Sequence, residues 1–285
     1  ESIISFFKSS RFKLPVQEGS PMSFLIEFGN EAATYIYTFE INETGIIDET
    51  LYLSGLGKAE SIPLLSRQLS TITFSNKIAT KEIIDIIERQ LKANPSLSAL
   101  SIIGKLRLID NHYINDAFVW LDTQLEIIEV SHQIPWLIEQ LNHQPDVMAF
   151  VKNVFSNIGL GIKDLSIRNE SFEEWLTHAD AEDKRAITKF LESSPKIAEN
   201  RSFAKMNRQF PLFTITEEDG MRTVKELLFY QFGKNGYVGA MECEAQSSGT
   251  LRLLTLVPAI YYAIFNKKTV VIDEIDNSIH PVLIK

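Results

Sequence analysis

Cysteine is almost absent from this sequence, and acidic residues outnumber basic ones. The 285 residues include one cysteine, Cys243, which excludes an internal disulfide and fits a reducing compartment. Lys and Arg total 28 against 37 Asp and Glu, and the formal net charge of -9 argues against nucleic-acid binding by overall charge. No apolar run approaches the ~20 residues of a membrane helix, and no signal peptide is recognisable. We therefore expect a cytoplasmic globular protein without a membrane partner.

Metal-binding and phosphate-loop patterns are missing as well. No Gly-x-x-x-x-Gly-Lys-Ser/Thr occurs, and the nearest segment, Ser54-Gly-Leu-Gly-Lys58, lacks the first glycine and the final Ser or Thr. Because it follows a predicted strand, we interpret this segment as a turn. Four histidines show no metal-ligand spacing: His112, His132, His143 and His178.

Hydrophobic periodicity divides the chain into three parts. Alternating β-branched and aromatic residues, interrupted by turn residues, predict an antiparallel meander with strands at 22–28, 34–41 and 46–53. From residue 80 to about 155 the apolar residues recur at helical spacing, and further helix is expected at 171–192. One helical face is predicted from Ile114, Phe118, Leu121, Leu125 and Ile128. Strands are expected again at 162–167, 212–216 and 224–230.

A short β-branched run ends in two acids close to the C-terminus of the sequence. Val270, Val271 and Ile272 precede Asp273 and Glu274, and they favour a central parallel strand that is covered on both faces. In P-loop NTPases a strand of this kind delivers an aspartate to Mg²⁺ and a glutamate that polarises the attacking water. The simpler interpretation is a buried strand that ends in two solvated acids.

A second motif, Gln246-Ser-Ser-Gly-Thr250, opens an apolar segment that predicts a helix from Leu251 to about Phe265. Gly249 lets the backbone approach a ligand closely, and Ser247 can donate a hydrogen bond to a phosphate oxygen. The helix directs its positive end to the same place. The simpler interpretation is a Ser-capped amphipathic helix. The presence of both motifs in this order favours a nucleotide site.

The two motifs, read as Ser-x-Gly-Thr-x-Arg and hydrophobic-Asp-Glu-Ile-Asp-x-Ser-hydrophobic-His-Pro, resemble those of the ABC-like ATPases of the SMC/RecF/OLD class. They are most similar to AAA-type ATP-binding proteins of bacterial abortive-infection and phage-defence operons. The resemblance covers residues 20–60 and 205–285. It implies an α/β fold, namely a P-loop NTPase head of the ABC type with an antiparallel β-meander and a helical insertion.

The resemblance also implies how the chain is organised. The first part of the ATPase core, with the meander, is expected at residues 1–79, the helical insertion at 80–200, and the second part of the core at 201–285. The phosphate loop is expected before Glu1 and the histidine switch after Lys285, so we interpret the chain as a fragment.

Roles for individual residues follow from the same resemblance, which implies an ATPase that uses ATP and Mg²⁺. Asp273 is expected to bind the metal ion, and Glu274 to act as the catalytic base. His280 is a second catalytic candidate, with a structural role as the alternative. Four residues are expected to bind the γ-phosphate of ATP held by the opposite protomer: Ser247, Ser248, Gly249 and Thr250. Thr250 stands where many relatives carry Gln or Glu.

In that arrangement ATP pairs two heads into a homodimer or a higher oligomer, which acts as a sensor or switch for a toxic effector in antiphage defence. A nuclease or toxin is the expected effector. The alternatives are a DNA-repair ATPase of the SMC/RecF kind, the ATPase part of an OLD-type nuclease, and a scaffold that binds ATP without turnover. Residues 201–210 interleave basic and aromatic side chains and could contact nucleic acid, although a solvated connector is the favoured interpretation.

Overall fold

The computed structural model describes residues 20–30, 32–75, 78–129, 136–193, 202–207, 210–218, 220–276 and 279. The chain divides into two compact units, which meet in the sequence between Gln124 and Leu125. The predicted insertion at 80–200 therefore does not coincide with one unit, because its first part belongs to the first unit and its remainder to the second.

The first unit begins with an antiparallel five-stranded meander whose strands lie side by side in chain order. The strands are β1 (Met22–Gly29), β2 (Thr34–Asn42), β3 (Gly45–Leu53), β4 (Ile62–Gln68) and β5 (Thr71–Phe74). The three predicted strands are confirmed. Two more were missed because β4 carries a proline, which is unfavourable in a central strand, and β5 has only four residues. The glycine-rich segment is a turn between β3 and β4, in which the Lys58 N–H donates to the Gly55 carbonyl at 3.0 Å.

Helices follow the meander in the same unit. They are α1 (Lys81–Ala93), α2 (Ala99–Leu106) and α3 (His112–Val119), followed by a π-helical turn at Trp120–Gln124. The Ser98 hydroxyl caps α2 and the Asn111 amide oxygen caps α3, each by accepting a backbone N–H of the first turn. The caps explain where these helices begin, because both side chains satisfy a donor that the helix leaves free.

A buried ion pair joins the meander to α2. Glu49 and Arg67 are fully buried, and the Arg67 Nη1 to Glu49 Oε2 distance is 3.3 Å. The Glu49 carboxylate also accepts the backbone N–H groups of Ala99 and Leu100 at 2.8 and 3.0 Å, and the Tyr37 hydroxyl at 2.9 Å. The guanidinium donates to four further carbonyls, those of Ile46, Leu69, Pro95 and Leu97. All five guanidinium N–H groups thus have a partner.

The second unit contains an antiparallel sheet covered by helices. Its strands are β7 (Ile162–Ser171), β8 (Ser202–Asn207), β9 (Phe210–Glu218), β10 (Met221–Phe232) and β11 (Val238–Glu242). The order is β11-β10-β9-β8, and β7 pairs with β10. Around it lie α4 (Leu137–His143), α5 (Pro145–Asn157), α6 (Phe172–His178) and α7 (Ala181–Ser193). The predicted strands at 162–167, 212–216 and 224–230 are confirmed, and residues 202–207, within the segment that we interpreted as a solvated connector, form β8, which pairs with β9.

Two apolar clusters form on this sheet. Leu227 and Phe229 of β10 belong to the cluster that contains side chains of α4 and α5, whereas Val224 of the same strand belongs to the cluster of Trp175 and Ile187. Alternate residues of a strand point to opposite faces, so one strand can contribute to both clusters. The long strand β10 is therefore the centre of the unit.

The last elements are the helix α8 (Ser248–Phe265) and the strand β12 (Thr269–Ile272), which pairs in parallel with β6 (Leu125–Ile128). The helical prediction for Leu125 and Ile128 is wrong. The spacing of apolar residues in Leu-Glu-Ile-Ile fits either period over so short a run, and pairing with β12 decides the outcome. Helix α8 covers one face of this pair, where Leu256 and Ala259 pack with Ile128.

The structure differs from the expectation that β12 is covered on both faces. Among the described residues β12 is hydrogen-bonded to β6 alone, and Val271 is 48% exposed. Val270 and Ile272, which point the other way, pack against the cluster under α8. The face of β12 that α8 reaches is half-buried, and the opposite face is exposed.

Helix α8 is long and apolar enough, by length and composition, to cross a membrane, although the sequence alone suggested no such segment. Its first part, up to Ala259, contains buried residues, whereas Ile264 and Phe265 near its end are exposed. Leu254, Leu256 and Val257 are buried against protein, and so is the charged side chain of Arg252. A helix that is apolar all round is also what a protein core requires.

Candidate functional site

The first part of the site is the N-terminus of α8. Ser247 is the N-cap, and its hydroxyl oxygen accepts the Thr250 N–H at 3.1 Å. The Ser247 and Thr250 hydroxyl oxygens lie 2.8 Å apart. Ser247 and Ser248 are exposed, Gly249 is half-buried and Thr250 is buried. The simpler interpretation of the motif, a Ser-capped helix, is therefore correct as a description of local structure.

Capping leaves room for a ligand contact. A serine hydroxyl has two acceptor positions and one proton. If the Thr250 hydroxyl donates, Ser247 accepts from both the N–H and the hydroxyl of Thr250, and its own proton is available to an exposed acceptor. The buried Thr250 hydroxyl then orients the Ser247 hydroxyl.

The second part of the site is the turn that follows β12. The Asp273 N–H donates to the Ile128 carbonyl at 2.9 Å, which continues the β6–β12 ladder to the end of the strand. The side chains of Asp273, Glu274 and Asp276 are exposed on this turn. The carboxylates thus stand at the carboxyl end of a parallel strand, where ligands bind in α/β sheets.

Glu274 has an unusual backbone conformation. Its φ of 45° lies in the left-handed region, which a residue with a Cβ enters at a cost on the order of 1 kcal/mol. Such residues are concentrated at functional sites, because a strained conformation persists only where the surroundings impose it. Five other described residues with a Cβ also have positive φ, Lys267 next to β12 among them, so the conformation agrees with the role predicted for Glu274 but is not specific to it.

Arg252 connects the two parts of the site. It lies in the second turn of α8 and is 4% exposed. Its Nη1 donates to the Glu129 carbonyl and its Nη2 to the Asp273 carbonyl, each at 3.1 Å. The motif helix is thus hydrogen-bonded to the residue that carries the predicted metal ligand. The motif Ser-x-Gly-Thr-x-Arg already contained this residue, but sequence reasoning assigned no role to it, and its burial and its two carbonyl partners are seen only in the structure.

The residues just before the motif have structural roles. The Gln231 side-chain amide donates to the Gln246 side-chain oxygen at 2.8 Å, which ties β10 to the start of the motif. Burial raises the pKa of the Cys243 thiol to about 12, with the carboxylates of Glu226 and Glu242 as smaller causes. A thiol of this kind stays protonated and is not a nucleophile at neutral pH.

The donor set fits a magnesium ion bound mainly by substrate and water. Within the described ranges no three His, Cys, Asp or Glu side chains are grouped so as to hold a metal ion. Mg²⁺ in phosphate-transfer sites takes one or two carboxylates and completes its shell with phosphate and water, which the single exposed Asp273 allows. His280, the second catalytic candidate, lies outside the described residues.

A protein-family model described as "AAA domain, putative AbiEii toxin, Type IV TA system" matches residues 3–285. No curated protein and no solved structure matches the chain. The match confirms the expected kinship with AAA-type ATPases and agrees with the mixed α/β architecture. The chain therefore belongs to this AAA-domain family, and membership implies a P-loop NTPase fold and the use of a nucleotide with Mg²⁺.

Proposed function

We propose that the protein is an ATP-hydrolysing head of the ABC-like kind, which pairs with a second copy when ATP is bound and releases it after hydrolysis. The observation that carries the proposal is the convergence of two motifs in one unit. Helix α8, capped by Ser247, is hydrogen-bonded through Arg252 to the Asp273 carbonyl at the end of β12. Neighbouring Glu274 holds a strained conformation at the same place.

In this proposal each residue has a defined task. Asp273 holds Mg²⁺, directly or through water, and the ion neutralises charge on the phosphates of ATP. Glu274 accepts a proton from the attacking water as general base. The exposed Ser247 and Ser248, with the backbone at Gly249, bind the γ-phosphate presented by the partner head, and Thr250 orients the Ser247 hydroxyl.

The biological role that we propose is a switch for a toxic effector, a nuclease or another toxin, in a bacterial defence system in the cytoplasm. The family description names a toxin–antitoxin system, which supports this role over DNA repair. The net charge of -9 also favours a protein partner over extended contact with DNA.

Replacing Ser247 by Arg tests whether the motif acts across a dimer. We expect the variant to lose ATP-dependent pairing, measured by light scattering, while a single head still binds ATP. The reason is that Ser247 contacts the nucleotide of the partner head and not that of its own. Ser171→Arg is the matched control, because Ser171 is also an exposed N-cap serine, on α6. The control loses a cap worth about 1 kcal/mol of stability but retains pairing.

Mixing two inactive variants sharpens this test. A pair formed from Ser247→Arg and Glu274→Gln chains has one composite site with both groups intact. We expect the mixture to recover up to about a quarter of wild-type turnover, because random pairing in a two-fold dimer gives half the pairs one working site. If the mixture recovers no ATP hydrolysis and Ser247→Arg alone binds ATP weakly, the motif contacts the nucleotide bound by its own chain. That result would contradict the dimer model.

Two substitutions at Thr250 test the orientation of the Ser247 hydroxyl. Thr250→Val keeps the shape and removes the hydroxyl, and we expect the ATP concentration for half-maximal pairing to rise about 2–10-fold, as for one lost hydrogen bond. Thr250→Ser keeps the hydroxyl and should pair almost as the wild type does. Equal pairing by the Val variant and the wild type would show that the Thr250 hydroxyl has no part in binding.

A further inference from the structure

Arg252 is a buried cation in an apolar helix, and its environment is unusual. Arginine is rarely buried without a compensating partner, yet the two hydrogen bonds found for its guanidinium end on backbone carbonyls. Its Nε is buried and has no hydrogen-bond partner among the described residues. A buried polar atom left in this way requires a reason, because an apolar residue at the same position would avoid the cost.

The two carbonyl oxygens that accept hydrogen bonds from Arg252 explain why an arginine is buried here. The carbonyls of Glu129 and Asp273 lie just beyond the carboxyl ends of the paired parallel strands β6 and β12. The planar guanidinium can donate from two nitrogens in a fixed geometry, which a lysine cannot do. Arg252 therefore holds both strand ends to α8 at the edge where the acidic turn begins.

The carbonyl of Asp273 has a special place, because it belongs to the peptide that precedes the Cα of Glu274. The φ angle of Glu274 is the rotation about the next bond, and it is held at 45°. A guanidinium that fixes the plane of this peptide also limits the directions in which the Glu274 side chain can point. Removing the guanidinium therefore removes one restraint that keeps Glu274 from the negative φ that residues with a Cβ prefer.

We propose that Arg252 is a positioning residue that couples the signature motif to the catalytic glutamate of the same chain. This inference rests on the proposed ATPase function. Ser247 and Arg252 are five residues apart on one helix, about 7–8 Å along its axis. When Ser247 binds the ATP of the partner head, the position of α8 becomes fixed. Through its hydrogen bond to the Asp273 carbonyl, Arg252 then fixes the peptide between Asp273 and Glu274, and the Glu274 carboxylate is held in position to accept a proton.

Arg252→Lys is the principal test, made in the full-length protein. Lysine keeps the charge but cannot bridge both carbonyls, so we expect kcat for ATP hydrolysis to fall about 10–100-fold with KM for ATP unchanged, as for a small misplacement of a catalytic group. Arg252→Gln, which is shorter and uncharged, is the second variant, and it should likewise lower kcat while leaving KM for ATP unchanged. Thr255→Val is the matched control, because Thr255 is buried one turn further along α8 and donates only to the Leu251 carbonyl within its own helix.

A double variant separates positioning from general loss of stability. If Arg252 acts through Glu274, adding Arg252→Lys to Glu274→Gln leaves the residual rate of the single Glu274 variant unchanged, whereas independent defects multiply. Equal kcat for wild type and both Arg252 variants, or multiplied defects in the double variant, would overturn the inference. Absence of ATP hydrolysis by the wild-type protein would instead overturn the proposed function, so the two failures are distinguishable.

Discussion

Replacement of Glu274 by Gln is expected to reduce ATP hydrolysis to a small residual rate while ATP binding and ATP-dependent pairing remain. The amide keeps the size of the side chain but cannot accept a proton from water, and loss of one general base lowers a rate by about 10²–10⁴. Steady-state phosphate release, measured beside nucleotide binding on the full-length protein, checks this result. In the proposed dimer bound ATP holds the two heads together, so the variant should accumulate as a stable pair.

The matched control for this change is Glu126→Gln. Glu126 lies on β6, the neighbouring parallel strand, and its carboxylate is 3.6 Å from the Lys268 ammonium. Glu126→Gln removes the same charge one strand away, and the rate of ATP hydrolysis should stay within about twofold of the wild-type rate, as expected for the loss of a partly exposed ion pair. Undiminished hydrolysis by Glu274→Gln would remove this residue from the mechanism.

A second substitution at Glu274 separates chemistry from stability. Glycine adopts positive φ without strain, so Glu274→Gly should lose hydrolysis as Glu274→Ala does but have a higher free energy of unfolding than Glu274→Ala, which removes the same side-chain contacts and keeps the Cβ. A free energy of unfolding for Glu274→Gly equal to or below that of Glu274→Ala would show that the φ of 45° carries no strain.

Removal of the buried arginine of the first unit should have the largest effect on stability. Arg67→Met leaves the fully buried Glu49 carboxylate without its cation and removes five guanidinium hydrogen bonds. Breaking a buried pair on one side costs about 3–5 kcal/mol, because an uncompensated charge stays in the core. Chemical denaturation followed by circular dichroism measures this loss.

Arg89→Met is the control within the same unit. Arg89 is exposed on α1, where its Nε donates to the Asp85 carbonyl, and its replacement should change stability by about 0.5 kcal/mol or less. The double variant Glu49→Gln with Arg67→Met should be more stable than the sum of the two single losses predicts, because each single change leaves a partner unpaired. Equal losses for Arg67→Met and Arg89→Met would contradict a structural role for the pair.

Features that depend on neighbouring residues could be predicted from the sequence. Alternating apolar and polar residues were sufficient for the strands of the meander that carry them, since side chains of a strand alternate between two faces. The helix α8 followed from its apolar segment and its cap from the serine ahead of it, because that hydroxyl satisfies an N–H of the first turn, although the helix begins at Ser248 and not at the predicted Leu251. The placement of Asp273 and Glu274 directly after a strand followed in the same way from the β-branched run.

The arrangement of distant segments was decided by tertiary structure alone. Leu125–Ile128 fits a helix or a strand by its own pattern and becomes a strand because β12 supplies its backbone partners. Charged residues such as Glu49, Arg67 and Arg252 would ordinarily be placed on the surface, and only packing shows that they are buried and what they bind. The left-handed conformation of Glu274 is likewise a property of its surroundings, since a free glutamate avoids it.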